Sequence, residues 1–137
     1  MTRTINEALT DVYFYLHYKH EEALTHQNIR CMQSIEKNKR TTIQFIAEVL
    51  GVSHNTASEH VKRLIQKGYI RKGKNEEDRR AVLLELTDLG KEVLRRNTEL
   101  DEQKLQTILD RLTDEDKAQL IRSLELLQKE TIHVFSS

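Results

Sequence analysis

Apolar positions recur along most of the chain every three or four residues, a spacing that predicts a succession of helices. Ile5, Leu9, Val12 and Leu16 alternate spacings of four and three, the seam of a helix that packs along another helix, over about Thr4 to Glu22. Ile29, Met32 and Ile35 mark a shorter amphipathic helix over Thr25 to Lys37. The basic run Lys37, Asn38, Lys39, Arg40 closes it near its negative end. Thr41 and Gln44 have the capping-box spacing, so a third helix is expected there, carrying Ile46, Ala47, Val49 and Leu50. Gly51 ends it, because the left-handed position after a helix is cheapest for glycine. Ser53 is then placed to cap a fourth helix with Ala57, Val61, Leu64 and Ile65 on one face, and Gly68 stops that helix.

After Tyr69, Ile70 and Arg71 comes a Gly- and charge-rich loop, Lys72 to Arg80, and then Val82, Leu84 and Leu86 at period two. Loop and flanks together predict a β-hairpin. Thr87 or Asp88 caps a return to helix through about Leu112. Thr113, with Asp116 three residues on, restarts a last helix bearing Leu120, Ile121, Leu124, Leu127 and Ile132. The expected class is mainly α with a small β-hairpin wing, a winged helix-turn-helix between N- and C-terminal dimerisation helices. The expected division is 1–40 for the N-terminal helices, 41–90 for the winged region and 91–137 for the C-terminal helices, all one compact domain. The terminal apolar stripes exceed what one small core can cover, so a homodimer is expected.

Composition narrows this picture without changing it. A chain of 137 residues has the size of one domain, and 32% charged residues, 5% aromatics, four Gly and no Pro suit a helical protein. One cysteine makes no internal disulfide, and no leader-like or membrane-length apolar run is present, so the expected location is the cytoplasm. Net charge is formally zero, yet Lys62 to Arg80 has eight basic residues against three acidic ones, +5, whereas Glu85 to Glu130 has twelve acidic against eight basic, −4. That asymmetry suits a chain that meets a polyanion on one face; a solvated charge face is the alternative.

In a helix-turn-helix the first residues of the second helix enter the major groove. This makes Ser53, His54, Asn55, Thr56, Ser58, Glu59 and Lys62 candidates for contact with double-stranded DNA, while Ala57, Val61 and Leu64 face the core. Asn can pair with adenine, Glu can accept from a cytosine amino group, and Ser or Thr can bind phosphate or base. Glu59 is the awkward member, since phosphates repel it unless it meets cytosine or the neighbouring Arg63. The run Asp78, Arg79, Arg80, Ala81, Val82, Leu83, Leu84, Glu85, Leu86, Thr87, Asp88, Leu89, Gly90 resembles the wing signature of the MarR group of bacterial winged-helix transcription regulators. The resemblance extends from about Thr41 to Leu94. It implies a dimeric DNA-binding transcription regulator, a repressor on a pseudo-palindromic operator, with Arg80 reaching into the minor groove and Asp78 holding that arginine. Lys72, Lys74 and Arg79 would supply phosphate contacts. The alternative is a helical protein-interaction module of the same shape that does not bind DNA.

Other constellations are weaker. His17, His20, His26 and Cys31 span two predicted helices without a compact ligand motif, so no metal is assigned. Cys31 beside Ile29, Met32 and Ile35 reads as a small buried hydrophobe, with redox sensing as the alternative because Arg30 adjoins it. Tyr13, Phe14, Tyr15 and Tyr18 gather four of the seven aromatics. The resemblance makes Tyr13, Phe14 and Tyr18 candidate walls of a pocket for a small aromatic effector, against a plain packing role. No catalytic triad order, phosphate loop or dinucleotide fingerprint is present, so neither an enzyme nor a cofactor is expected.

Overall fold

The computed structural model describes residues 1–19, 22–73 and 82–136. The described elements are α1 (Thr2–Leu16), α2 (His26–Lys37), α3 (Ile43–Leu50), α4 (His54–Gln66), β1 (Ile70–Gly73), β2 (Leu83–Leu86), α5 (Asp88–Thr98), α6 (Glu102–Leu109) and α7 (Asp114–Phe135). Nearly every helix starts where a short polar side chain can accept from a free backbone N–H. Thr25 accepts from Asn28, Thr42 from Phe45, Ser53 from Thr56, Thr87 from Gly90, Asp101 from Gln103 and Thr113 from Asp116.

Several boundaries differ from those the sequence predicts. The first helix starts at Thr2 and ends at Leu16, with His17 already extended, instead of running to Glu22. The cap of α3 is Thr42 rather than Thr41, and Gln44 donates to Glu48 Oε1 at 3.3 Å rather than back to the cap. Thr41 is buried. Its hydroxyl donates to the carbonyls of Ser34 and Asn38, and its own carbonyl accepts from Leu84 N–H at 2.8 Å, joining the end of α2 to β2. The single helix expected from Thr87 to Leu112 is two, because Glu99 turns extended and Asp101 caps a new start. Thr98 bonds back to Leu94 O at 2.8 Å just before the break.

The contacts group the chain into two units, Met1–Leu100 and Asp101–Ser137. In the first, the core is filled by Cys31, Met32 and Ile35 from α2, Ile46 and Ala47 from α3, and Ala57, Val61 and Leu64 from α4, closed by Tyr69, Ile70, Leu84, Leu86 and Leu94. The antiparallel strands pair Ile70 with Leu86 and Lys72 with Leu84. Leu84 and Leu86 therefore face the core as their spacing predicts. Val82 does not: it precedes β2 and is exposed. The second unit consists of α6 and α7, and neither buries a residue fully. Along α7, Leu120, Ile121, Leu124, Leu127 and Ile132 are all exposed, as are Ile5, Leu9 and Val12 on α1. No helix among the described residues is long and apolar enough to cross a membrane.

Candidate nucleic-acid interface

The turn between α3 and α4 is fixed from both sides. Gly51 takes the left-handed conformation, φ 66° and ψ 37°, and Val52 N–H returns to Ala47 O at 3.0 Å, so the chain reverses within three residues before Ser53 caps α4. Arg30 of α2 donates to Val49 O at 3.0 Å and so braces the end of α3. The guanidinium thus holds a carbonyl that the helix leaves without an internal partner.

On α4, Ala57, Val61 and Leu64 are buried at 0 to 1% exposure. At about 100° per residue this sets Asn55, Glu59, Lys62, Arg63 and Gln66 on the opposite side, and all five are exposed. Ser53, His54 and Thr56 are exposed at the start of the helix, and Ser58 is half-buried. The Thr56 hydroxyl accepts from Ser53 Oγ at 3.0 Å, so it is partly committed to the cap. A groove of about 510 Å³ runs between α4 and β1. It brings Ser58, Glu59 and Lys62 together with Lys72, over a floor of Ile43, Val61 and Ile65. Among the described residues no ion pair engages Lys62, Lys72, Arg63 or Glu59, whereas Arg71 is tied to Glu85 across the hairpin at 3.0 Å. Lys74, Asp78, Arg79 and Arg80 lie outside the described residues.

Arg63 and Gln66 share the exposed face of α4 but were not among the residues expected to contact a ligand. Their signal was present in the same periodicity, since Arg63 follows Glu59 by four and Gln66 follows Lys62 by four.

Behind this face, the hairpin is locked to α5. Thr87 accepts from Gly90 N–H, its hydroxyl donates to Gly68 O at 2.5 Å, and its N–H bonds Tyr69 O at 3.0 Å. Gly90 lies so close to the Tyr69 carbonyl that an added Cβ would overlap backbone atoms. This contact gives the Leu-Thr-x-x-Gly run at Leu86 to Gly90 a mechanical reason. Tyr69 is itself anchored by a 2.5 Å hydrogen bond to Glu22, which Lys67 also approaches at 3.4 Å. The Tyr69 hydroxyl, against some opposing burial, and then Lys67 hold the Glu22 carboxyl below its ordinary range. Burial first, then Glu22, pushes Tyr69 up to about 12.

The aromatic cluster divides. Tyr13 stacks on His17 at 5.1 Å and donates to Asn97 O at 3.2 Å. Tyr18 accepts from Arg95 at 2.6 Å and lies beneath the guanidinium groups of Arg95 and Arg96. Glu92 binds both arginines, and their hydrogen bonds keep its carboxyl low. Phe14 instead points outward, 68% exposed. Tyr13 and Tyr18 are thus brought against α5, and Phe14 is not. Cys31 has no exposure, and burial pushes its thiol up to about 12, the opposite of an activated thiolate. Arg30, whose charge was the argument for activation, is turned to Val49. Among the described residues no His, Cys, Asp and Glu group is arranged to hold a metal; His20 lies outside them.

Residues 24–82 match the model of the MarR family. Over 84 residues, 61% of this chain, the sequence is 32% identical to an uncharacterised HTH-type transcriptional regulator, YfiV, of Bacillus subtilis (strain 168). The chain spans about half the length, 52%, of that relative. Among solved structures it is similar to the transcriptional regulator Tm0710 of Thermotoga maritima, at 27% identity and a TM-score of 0.62, covering 82% of this chain and 80% of that one. It is also similar to a mutant MarR of E. coli complexed with operator DNA, at 25% identity and a TM-score of 0.52, covering 76% of this chain and 75% of that one. The stretch similar to the MarR family, residues 24–82, takes in α2, the capped helix-turn-helix of α3 and α4, and β1, the first strand of the hairpin that Thr87 and Gly90 lock to α5.

Proposed function

We propose that the protein is a sequence-specific DNA-binding transcription regulator, a repressor that acts as a homodimer on a pseudo-palindromic operator. The observation that carries this reading is the exposed face of α4. It is polar along its whole length, starts at a Ser53 cap and borders a groove shared with Lys72 of the wing strand. A solved relative at 25% identity is complexed with operator DNA, which supports the same use of the same elements. On this reading Ser53, His54, Asn55, Thr56, Ser58 and Glu59 meet the major groove, and Lys62, Lys72, Lys74 and Arg79 meet phosphates. Arg80, held by Asp78, enters the minor groove. The exposed apolar stripes of α1 and α7 are the surfaces on which a second copy would close. A small aromatic effector would act where Tyr13 and Tyr18 meet α5, with Phe14, which points outward, left out of that junction.

A salt titration of binding to promoter fragments tests the reading. Neutralised phosphates require log affinity to fall linearly with log salt, by about 0.9 for each phosphate contacted. Absence of DNA binding at low salt would favour a helical interaction module instead.

A further inference from the structure

The outward face of α4 carries amides, hydroxyls and cations, with Glu59 as its one acid. Glu59 lies on the side away from Ala57, Val61 and Leu64, one turn beyond Asn55 and one turn before Lys62 and Arg63. It is exposed and lines the groove that Lys62 and Lys72 also line. A bland role would be an ion pair with Arg63, which follows by four residues in the orientation that favours pairing on a helix. No such pair forms: no described residue makes an ion pair with Glu59. The carboxylate therefore stands on a surface of the opposite sign, with its acceptor oxygens unspent on the described residues.

Such a group is costly next to DNA. Phosphates repel it, and in the major groove the acceptors of guanine (N7 and O6) and of thymine (O4) repel it too. Adenine offers an amino donor, but beside an N7 acceptor that a carboxylate cannot satisfy. Cytosine presents its amino donor without a purine N7 beside it on the same base. A carboxylate here is rewarded at one kind of base and penalised at the rest, so it exchanges general affinity for discrimination. Resting on the DNA-binding reading above, we propose that Glu59 is a specificity-determining residue: it accepts a hydrogen bond from one cytosine amino group in each half-site and lowers affinity for all other DNA.

The test uses the full chain and a pool of randomised duplexes. Sites selected by the wild type are measured against wild type, Glu59→Gln and Glu59→Ala at one salt concentration, beside random DNA and beside duplexes with each C·G pair replaced in turn. Circular dichroism and thermal unfolding check that the exposed substitutions leave the fold unchanged. We expect one C·G pair per half-site whose replacement costs the wild type about tenfold or more and costs Glu59→Ala less than about threefold. Both variants should bind random DNA more tightly than the wild type does. If both variants tighten on selected and random DNA by the same factor, Glu59 only repels and the proposal is overturned. It is equally overturned if the variants select the same sites with the same base preferences. Failure of the DNA-binding reading looks different, since the wild type would then select no sequence at all and show no salt-dependent binding.

Discussion

Gly90 offers a substitution whose sign separates two explanations. Its φ is not positive, since the positive-φ glycines among the described residues are Gly51 and Gly68, so Gly90 is not required by backbone conformation. Sitting in the first turn of α5, it would ordinarily gain about 1 kcal/mol of helix stability on conversion to alanine. The surroundings oppose that gain. An alanine Cβ would stand 2.9 Å from the Tyr69 carbonyl carbon and 3.0 Å from its Cα, and closer still to the carbonyl oxygen. Ordinary carbon–carbon contact is about 3.5 to 4.0 Å, so α5 and the chain at Tyr69 would have to separate by about an ångström. The bond from Thr87 N–H to Tyr69 O, now 3.0 Å, and the Thr87 cap lie in the path of that movement. Losing the bond costs about 1 kcal/mol, weakening the cap up to about 1 and overpacking about 1 to 3. Set against the propensity gain of about 1 kcal/mol, Gly90→Ala should destabilise by about 1 to 4 kcal/mol. Urea unfolding at fixed protein concentration measures this as a lowered midpoint with unchanged slope. Gly51→Ala is the control: φ is +66° there and no atom stands within 4 Å of the added Cβ, so only the left-handed strain of about 1 to 2 kcal/mol applies. A Gly90→Ala protein as stable as wild type, or more so, would refute the close-approach argument.

Three further outcomes are expected. Glu22 is held below its ordinary value of 4.5, so its contact with Tyr69 contributes stability above that pH which is lost as pH falls through the folded value. Tyr69 is raised from 10.0 to about 12, so its contribution is complete below pH 10.0 and is lost as pH rises towards 12. Tyr69→Phe should cost about 1 kcal/mol at pH 7 and flatten both limbs of a stability–pH curve; two unchanged limbs would remove the pair from the account. Cys31, fully buried and with a raised thiol, should resist a disulfide reagent in the native state and react only as the chain unfolds, so rapid native labelling would show the site to be open. Leu124→Glu with Leu127→Glu should abolish self-association in sedimentation at micromolar concentration, because burying two unpaired carboxylates costs several kcal/mol; a wild type that is itself monomeric would sink the premise.

What the sequence made legible is local chemistry. Ser53 accepting from Thr56, Gly51 left-handed at the helix end, Thr113 accepting from Asp116, and Leu84 with Leu86 turned inward all follow from spacing within one or two turns of chain. Where two neighbouring residues suited the same task, only tertiary partners decided between them. Thr41 and Thr42 are equivalent caps by composition. Thr41 is drawn inward because Leu84 needs its carbonyl and the end of α2 accepts from its hydroxyl, and Thr42 is left to cap. The break at Glu99 was hidden because no Gly or Pro marks it in the sequence, and Asp101 caps a new start directly after it. In the candidate interface, the order Ser53 to Lys62 could be read from the helix period. The approach of Lys72 to Ser58 and Glu59 could not, because it depends on how β1 returns beside α4.

The far end of α5 is tied as closely as its start. Asn97 is buried, and its side chain accepts from Leu24 N–H at 3.1 Å and donates to Glu22 O and Val93 O, while its own carbonyl accepts from Tyr13. One helix therefore carries the hairpin lock at Thr87 and Gly90 and, three turns on, the segment around Glu22 and Leu24. Glu22 closes this circuit, since its backbone is bound by Asn97 and its carboxylate by Tyr69, the residue whose carbonyl α5 abuts. α5 is thus a strut tied at its start to Gly68 and Tyr69 and at its far end to Glu22 and Leu24, with the Tyr69–Glu22 hydrogen bond joining the two. A disturbance where Tyr13 and Tyr18 meet α5 would thus reach Tyr69, at the base of β1, through packed backbone contacts rather than through solvent. A ligand at that junction would bias the hairpin only to the extent that it binds one arrangement of the strut better than another. The hydrogen bonds of Asn97 are what such a ligand would have to work against.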